Sequence, residues 1–124
     1  MNQNRQATIV VVSRQNRRRE SLRSLLKVLP QVEAVYGTQD QGTGQCLVDY
    51  YQPEVALFDG FQELNEVKAF LHRVRNSSPR THCIVISNHP QTEDELSVDG
   101  ADCILYDGFQ ASKLLEAVEE LLKR

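Results

Sequence analysis

Residues 55–60 read Val55-Ala56-Leu57-Phe58-Asp59-Gly60, an apolar run closed by a carboxylate and followed at once by glycine. A short apolar run without polar alternation suits a strand covered on both faces, as the strands of parallel sheets are. The C-terminal strand ends of an open parallel sheet form its binding crevice, so Asp59 is delivered to a place suited to chemistry. Three more runs end in polar residues that would share the crevice. Thr8 to Val12 gives way to Ser13 and Arg14, Cys83 to Ile86 to Ser87, and Cys103 to Tyr106 to Asp107. A further β-branched run, Val32 to Tyr36, completes five strands.

Between the strands the periodicity changes to that of helices. Leu22, Leu25, Leu26 and Leu29 form a 3.6-residue stripe that Pro30 stops, and Leu64, Val67, Phe70, Leu71 and Val74 form a second ending before Ser77, Ser78 and Pro79. Leu114, Leu115, Val118, Leu121 and Leu122 make the clearest stripe. A weaker helix is expected over Gly44 to Tyr51, with Cys46, Leu47, Tyr50 and Tyr51 inward. Pro90 to Asp99 offers only Leu96 and Val98 among Glu93, Asp94, Glu95 and Asp99, which predicts a short or irregular fourth helix. The alternation implies a right-handed, doubly wound α/β sandwich.

The chain has 124 residues, 40% of them hydrophobic, and no Pro- or Gly-rich linker, which predicts one domain over residues 7–124 behind a disordered residues 1–6. A net charge of −3 gives no global positive field to draw in nucleic acid or an anionic membrane. Apolar runs are far too short to span a bilayer, and Met1 to Gln6 carries no apolar signal segment, so a cytoplasmic location is expected. Cys46, Cys83 and Cys103 have neither Cys-x-x-Cys spacing nor an even count, so buried thiols are expected rather than a disulfide framework or zinc site. Cys83 and Cys103 each lie four residues before the polar end of their run; in-register neighbouring strands would bring the two sulfurs close.

Over essentially its whole length the chain resembles the receiver domain of bacterial two-component response regulators. The resemblance is carried by Thr8 to Leu22, Pro53 to Gly60, Cys83 to Ser87, and Gly100, Ala101 and Asp102 leading into Ile104 to Asp107. Arg14 to Asp59 is 45 positions, Asp59 to Ser87 is 28, and Ser87 to Asp107 is 20, close to the family's intervals. The resemblance implies a flavodoxin-like five-stranded parallel sheet in the order 2-1-3-4-5 with helices on both faces. It also implies a phosphoacceptor position at Asp59 and a phosphate-binding hydroxyl position at Ser87.

In that family an acidic pair after the first strand joins the phosphoacceptor Asp in holding Mg²⁺, and a Lys after the fifth strand pairs with the phosphoryl oxygens. Here the acidic-pair positions hold Ser13 and Arg14, the Lys position holds Asp107, and the switch-aromatic position holds Ile104. Arg14 therefore stands where a metal ligand belongs. Its guanidinium is expected to take the cation's place and pair with Asp59, Asp107 or both. A Mg²⁺ ion left with Asp59 as its one charged ligand is expected to bind poorly.

Each residue also has a structural reading. Asp59 suits a turn cap, Ser87 a loop hydroxyl, Arg14 a solvent-facing charge, and Asp107 with Gly108 an ordinary turn. Arg17, Arg18 and Arg19, with Arg14 and Arg23 near, read as a solvated first helical turn, since no aromatic platform accompanies them. Their charge opposes the helix dipole there, which leaves a partner-binding role open. His72, His82 and His89 lack metal spacing, and Gly42 and Gly44 do not make a phosphate loop.

The sequence thus points to a non-enzymatic, pseudo-receiver interaction module in bacterial signalling, independent of phosphorylation and of any cofactor, with a histidine kinase or output protein as partner and a homodimer possible. Two alternatives stand beside it. One is a phosphorylatable receiver that uses Mg²⁺ and accepts a phosphoryl group on Asp59 from a kinase or small donor. The other is a small-molecule-binding regulatory domain using the same crevice. The acidic Pro90 to Asp99 segment is a candidate docking surface.

Overall fold

The computed structural model describes residues 6–60, 63–88 and 93–124. The expected disorder of residues 1–6 falls almost wholly outside the described residues, as do His89 and Pro90. Five strands, β1 (Ala7–Ser13), β2 (Val32–Thr38), β3 (Val55–Asp59), β4 (His82–Ser87) and β5 (Ala101–Tyr106), alternate with five helices. The helices are α1 (Asn16–Leu26), α2 (Gln41–Tyr51), α3 (Leu64–Ser77), α4 (Glu93–Val98) and α5 (Ala111–Leu122). All strand pairs are parallel and the order is β2-β1-β3-β4-β5, as the resemblance implies.

The side-chain alternation of the strands divides the core into two. Val10, Val12, Ala56, Phe58, Cys83 and Val85 face one way and pack with Val48 of α2, with Val67, Phe70, Leu71 and Val74 of α3, and with Leu96 of α4. Ile9, Val11, Val55, Leu57, Ile84 and Ile86 face the other way and pack with Leu22 and Leu26 of α1 and with Leu114, Val118 and Leu121 of α5. Burial is complete in β3 and, but for Thr8 and His82 near their starts, in β1 and β4. β2 and β5 are edge strands and remain partly exposed, a correction to the sequence reading, which took every run as covered on both faces.

Two expectations change with register and packing. β4 and β5 are neighbours, but Cys83 lies opposite Ala101 while Cys103 lies opposite Ile84, with a register shift between Cys83 and Ile84. The two cysteines therefore belong to opposite cores, and their sulfurs point away from each other. Burial pushes the Cys83 thiol up to about 12, the behaviour of an inert core thiol.

In α2 the buried residues are Gly44, Gln45 and Val48, with Leu47 packed against the core as expected, whereas Cys46, Tyr50 and Tyr51, expected inward, are exposed. The helix begins earlier than its apolar residues suggest because Asp40 caps it, its Oδ2 accepting from the Thr43 amide at 2.8 Å. Gly44 then lies against Val12, whose Cγ2 would stand 2.5 Å from a Cβ at that position. The tyrosines serve the outer surface instead: Tyr51 stacks on Tyr36 of β2 with ring centroids 4.2 Å apart.

α4 is six residues long, as its composition predicts. At the β2 edge, Arg23 of α1 donates from Nε to the Val35 carbonyl at 3.0 Å and pairs with Glu20 at 3.1 Å.

Candidate functional site

The C-terminal ends of β1, β3, β4 and β5 bring Ser13, Asp59, Ser87 and Asp107 to one pole of the sheet. Ser13 and Asp59 are register partners on adjacent strands, which sets their side chains side by side. The Ser13 hydroxyl donates to Asp59 Oδ2 at 2.8 Å. Gly60, at φ +78, then turns the chain away in a conformation that a side chain would strain. Ser87 is buried, and its carbonyl accepts from the Asp107 amide at 3.2 Å, tying the β5 exit to the end of β4. Ile104, opposite Val85, is half-buried against the α2/α3 core.

The cation at this pole is Arg18. Its Nε donates to Asp59 Oδ2 at 2.7 Å and its Nη2 to Asp107 Oδ1 at 2.9 Å, so one guanidinium spans both carboxylates. The Asp59 side chain is 2% exposed, that of Arg18 34% and that of Asp107 49%, so the bridge runs from the protein interior to the crevice mouth. A planar fork of donors is the group suited to two acceptors held on different elements.

Arg14, expected in this role, is directed elsewhere: its Nη2 donates to Glu66 Oε2 at 2.7 Å. The reason lies in α3. Glu66 sits in that helix's first turn and closes a capping box with Glu63, which holds its carboxylate beside the β1 exit, where Arg14 leaves the strand. Arg14 points outward, with a side chain 51% exposed.

The arginine run is likewise not a solvated face. Arg18 makes the bridge, and Arg19 donates to the Ser13 carbonyl at 2.8 Å and to Asn16. Arg17 is exposed. α1 has no side-chain cap and no acid in its first turn, so three arginines there oppose its dipole. For Arg18 that local conflict is offset by Asp59 and Asp107, the two acids it bridges.

The crevice has a volume of about 290 Å³ and is lined by Ser13, Arg14, Arg18, Asp59, Asn88 and Asp107, among others. Its donor set does not suit Mg²⁺. Mg²⁺ is octahedral, keeps several waters and is held through one or two carboxylates, and both carboxylates of this crevice, Asp59 and Asp107, already accept from the Arg18 guanidinium. Asp59 offers an Oδ2 that already accepts two hydrogen bonds, one from a cation, and the β1 exit contributes a hydroxyl and an arginine. Among the described residues, no group of three or more His, Cys, Asp or Glu side chains could hold a metal ion. His72 and His82 lie on different elements beside Asp99 and Asp102 respectively.

No protein-family model matches the chain, and no curated protein matches it. Solved structures do. The signal receiver domain of the putative response regulator NarL from Mycobacterium tuberculosis superposes with a TM-score of 0.85 at 22% identity, covering 96% of this chain and 98% of that one. A response regulator from Thermotoga maritima gives a TM-score of 0.83 at 16% identity, covering 96% and 99%. A CheY-like response regulator receiver domain protein from Methanospirillum hungatei gives 0.83 at 20% identity, covering 95% and 94%. The chain has the receiver-domain fold over nearly its whole length. Among the described residues, no helix is long and apolar enough to cross a membrane.

Proposed function

We propose that residues 7–124 form a pseudo-receiver, a regulatory module of bacterial two-component signalling that works in the cytoplasm through protein contact, without phosphoryl transfer to Asp59. The observation that carries this reading is the Arg18 bridge. A phosphoacceptor carboxylate needs an approachable oxygen, a metal to offset incoming charge, and a cationic side chain for the phosphoryl oxygens. Here Asp59 is held by Ser13 and by a guanidinium at 2.7 Å, and the position of the usual Lys carries a second acid, Asp107, which the same guanidinium neutralises. The charge pattern is inverted: the base comes from α1 and the acid from β5. The module then has no use for turnover, and its partner is a histidine kinase or an output protein that reads its surface.

Incubating the protein with acetyl phosphate and Mg²⁺, and separately with beryllofluoride, tests the proposal by intact mass and by amide shifts around Gly60. No phosphoryl adduct and no saturable shift are expected. An adduct mapped to Asp59 overturns the proposal in favour of the phosphorylatable receiver.

A further inference from the structure

α4 is the element of this fold least able to hold itself in place. Six residues fall well short of the roughly 12 to 15 at which an isolated helix becomes even marginal in water, so its helicity depends on tertiary contacts. Its apolar anchor among the described side chains is Leu96, which is completely buried against the α2/α3 core.

Among the described residues, the ion pairs at α4 and the turn after it come from one helix, α3. Lys68 of α3 donates to Glu95 Oε2 at 2.9 Å and lies 3.7 Å from Asp99 Oδ2, while His72, one turn along, meets Asp99 Oδ1 at 2.7 Å. The same face of α3 carries Arg75, whose guanidinium lies over Gly100 just past α4, 2.9 Å from where a Cβ would be. Three positive or polar donors at i, i+4 and i+7 therefore form one stripe on α3, and Glu95 of α4 and Asp99 just past it meet Lys68 and His72 of that stripe. The Asp99 carboxyl is held below its usual range, first by the His72 hydrogen bond and then by the charges of His72, Lys68 and Arg75, with desolvation opposing.

We infer that Lys68 and His72 act as a charge latch that sets how often α4 leaves its seat, so that the surface carried by α4 is governed from α3 rather than from Asp59. The latch is a two-state element: closed, with Leu96 buried and Glu95 and Asp99 paired; open, with the short helix unfolded and the Leu96 seat exposed. Opening of this kind is local, at a free energy far below that of global unfolding. It stands whether or not Asp59 accepts a phosphoryl group, so phosphoryl chemistry at Asp59 would overturn the proposed function and leave the latch intact.

Native-state amide hydrogen exchange of the whole protein tests it at Asp99 and Gly100, whose amides bond to the Glu95 and Ser97 carbonyls. Lys68→Met keeps the apolar stem and removes the charge, and His72→Gln keeps a neutral donor. Each is expected to speed exchange at these two amides about two- to fivefold, as loss of one exposed ion pair would. The double variant is expected to do so about tenfold, while amides of β1 and β3 keep wild-type rates. Raising the salt to about 0.5 M is expected to bring wild type toward the double variant, and Lys68→Arg is expected to keep the wild-type rate. A double variant within twofold of wild type at Asp99 and Gly100 overturns the latch. So does equal acceleration throughout the sheet, which would mark general destabilisation.

Discussion

The exchange of Arg14 for Arg18 shows what the sequence can and cannot say about single residues. Asp59 and Asp107, two acids closing runs that share one pole, require a cation from elsewhere in the crevice, and that much is legible in the order of the residues. Which arginine supplies it is not, because Arg14, Arg17, Arg18 and Arg19 all lie near the β1 exit. The choice is made by Glu66, 52 positions away, whose capping role on α3 claims Arg14. Stability should follow the same division. Arg18→Met leaves a buried carboxylate with one neutral donor and is expected to cost about 1–3 kcal/mol in urea unfolding, below the penalty for a fully buried pair because the guanidinium is partly exposed. Arg14→Met, at a surface pair, is expected to stay within about 0.5 kcal/mol. Equal costs for the two would return Arg14 to the site.

Whole elements were legible where burial alone decides them. β3 and α3 follow from Val55 to Asp59 and from the Leu64 to Val74 stripe, because each buries an apolar face that only one period can present. In α2 the inward Leu47 was legible, but Cys46, Tyr50 and Tyr51 were misjudged, because the buried face also uses Gly44 and Gln45, which carry little apolar signal, while the tyrosines belong to an outer stack. Helix ends also govern the response to acid. Asp40 is held below its usual range first by the Thr43 backbone hydrogen bond, and Asp99 first by the His72 hydrogen bond. For a depressed carboxyl, the stabilisation is present above the unfolded value, 3.8 for Asp, and is lost as pH falls through the lower folded value. Protection of the α2 and α4 amides is therefore expected to persist at pH 5 and to fade as the pH drops below about 4. Asp40→Asn, which keeps a cap acceptor without the titration, is expected to flatten the response in α2 alone. An unchanged α2 profile in that variant would detach the effect from Asp40.

For the molecule as a whole, the repeated strand and helix periods define a doubly wound sheet, and the polar residues that close the runs mark its working pole. What the sequence does not carry is register: the separation of Cys83 from Cys103 and the reach of Arg18 across to both Asp59 and Asp107 depend on how strands slide past one another. The two sheet margins also differ in a way that no single run of sequence reveals. β2 is an outermost strand, and its seven residues include neither Lys nor Pro, the usual deterrents to unwanted pairing. The hydrogen bond from Arg23 to the Val35 carbonyl occupies the middle of that strand with a bulky, charged side chain. Arg23 is thereby expected to hinder intermolecular β-pairing along this edge. Arg23→Ala is expected to leave the monomer folded yet raise light scattering and thioflavin fluorescence on prolonged concentrated incubation, whereas Arg23→Lys, which can still cover the strand with charge, should scatter less. Indistinguishable aggregation of wild type and Arg23→Ala would mean that the edge is kept solitary by other means.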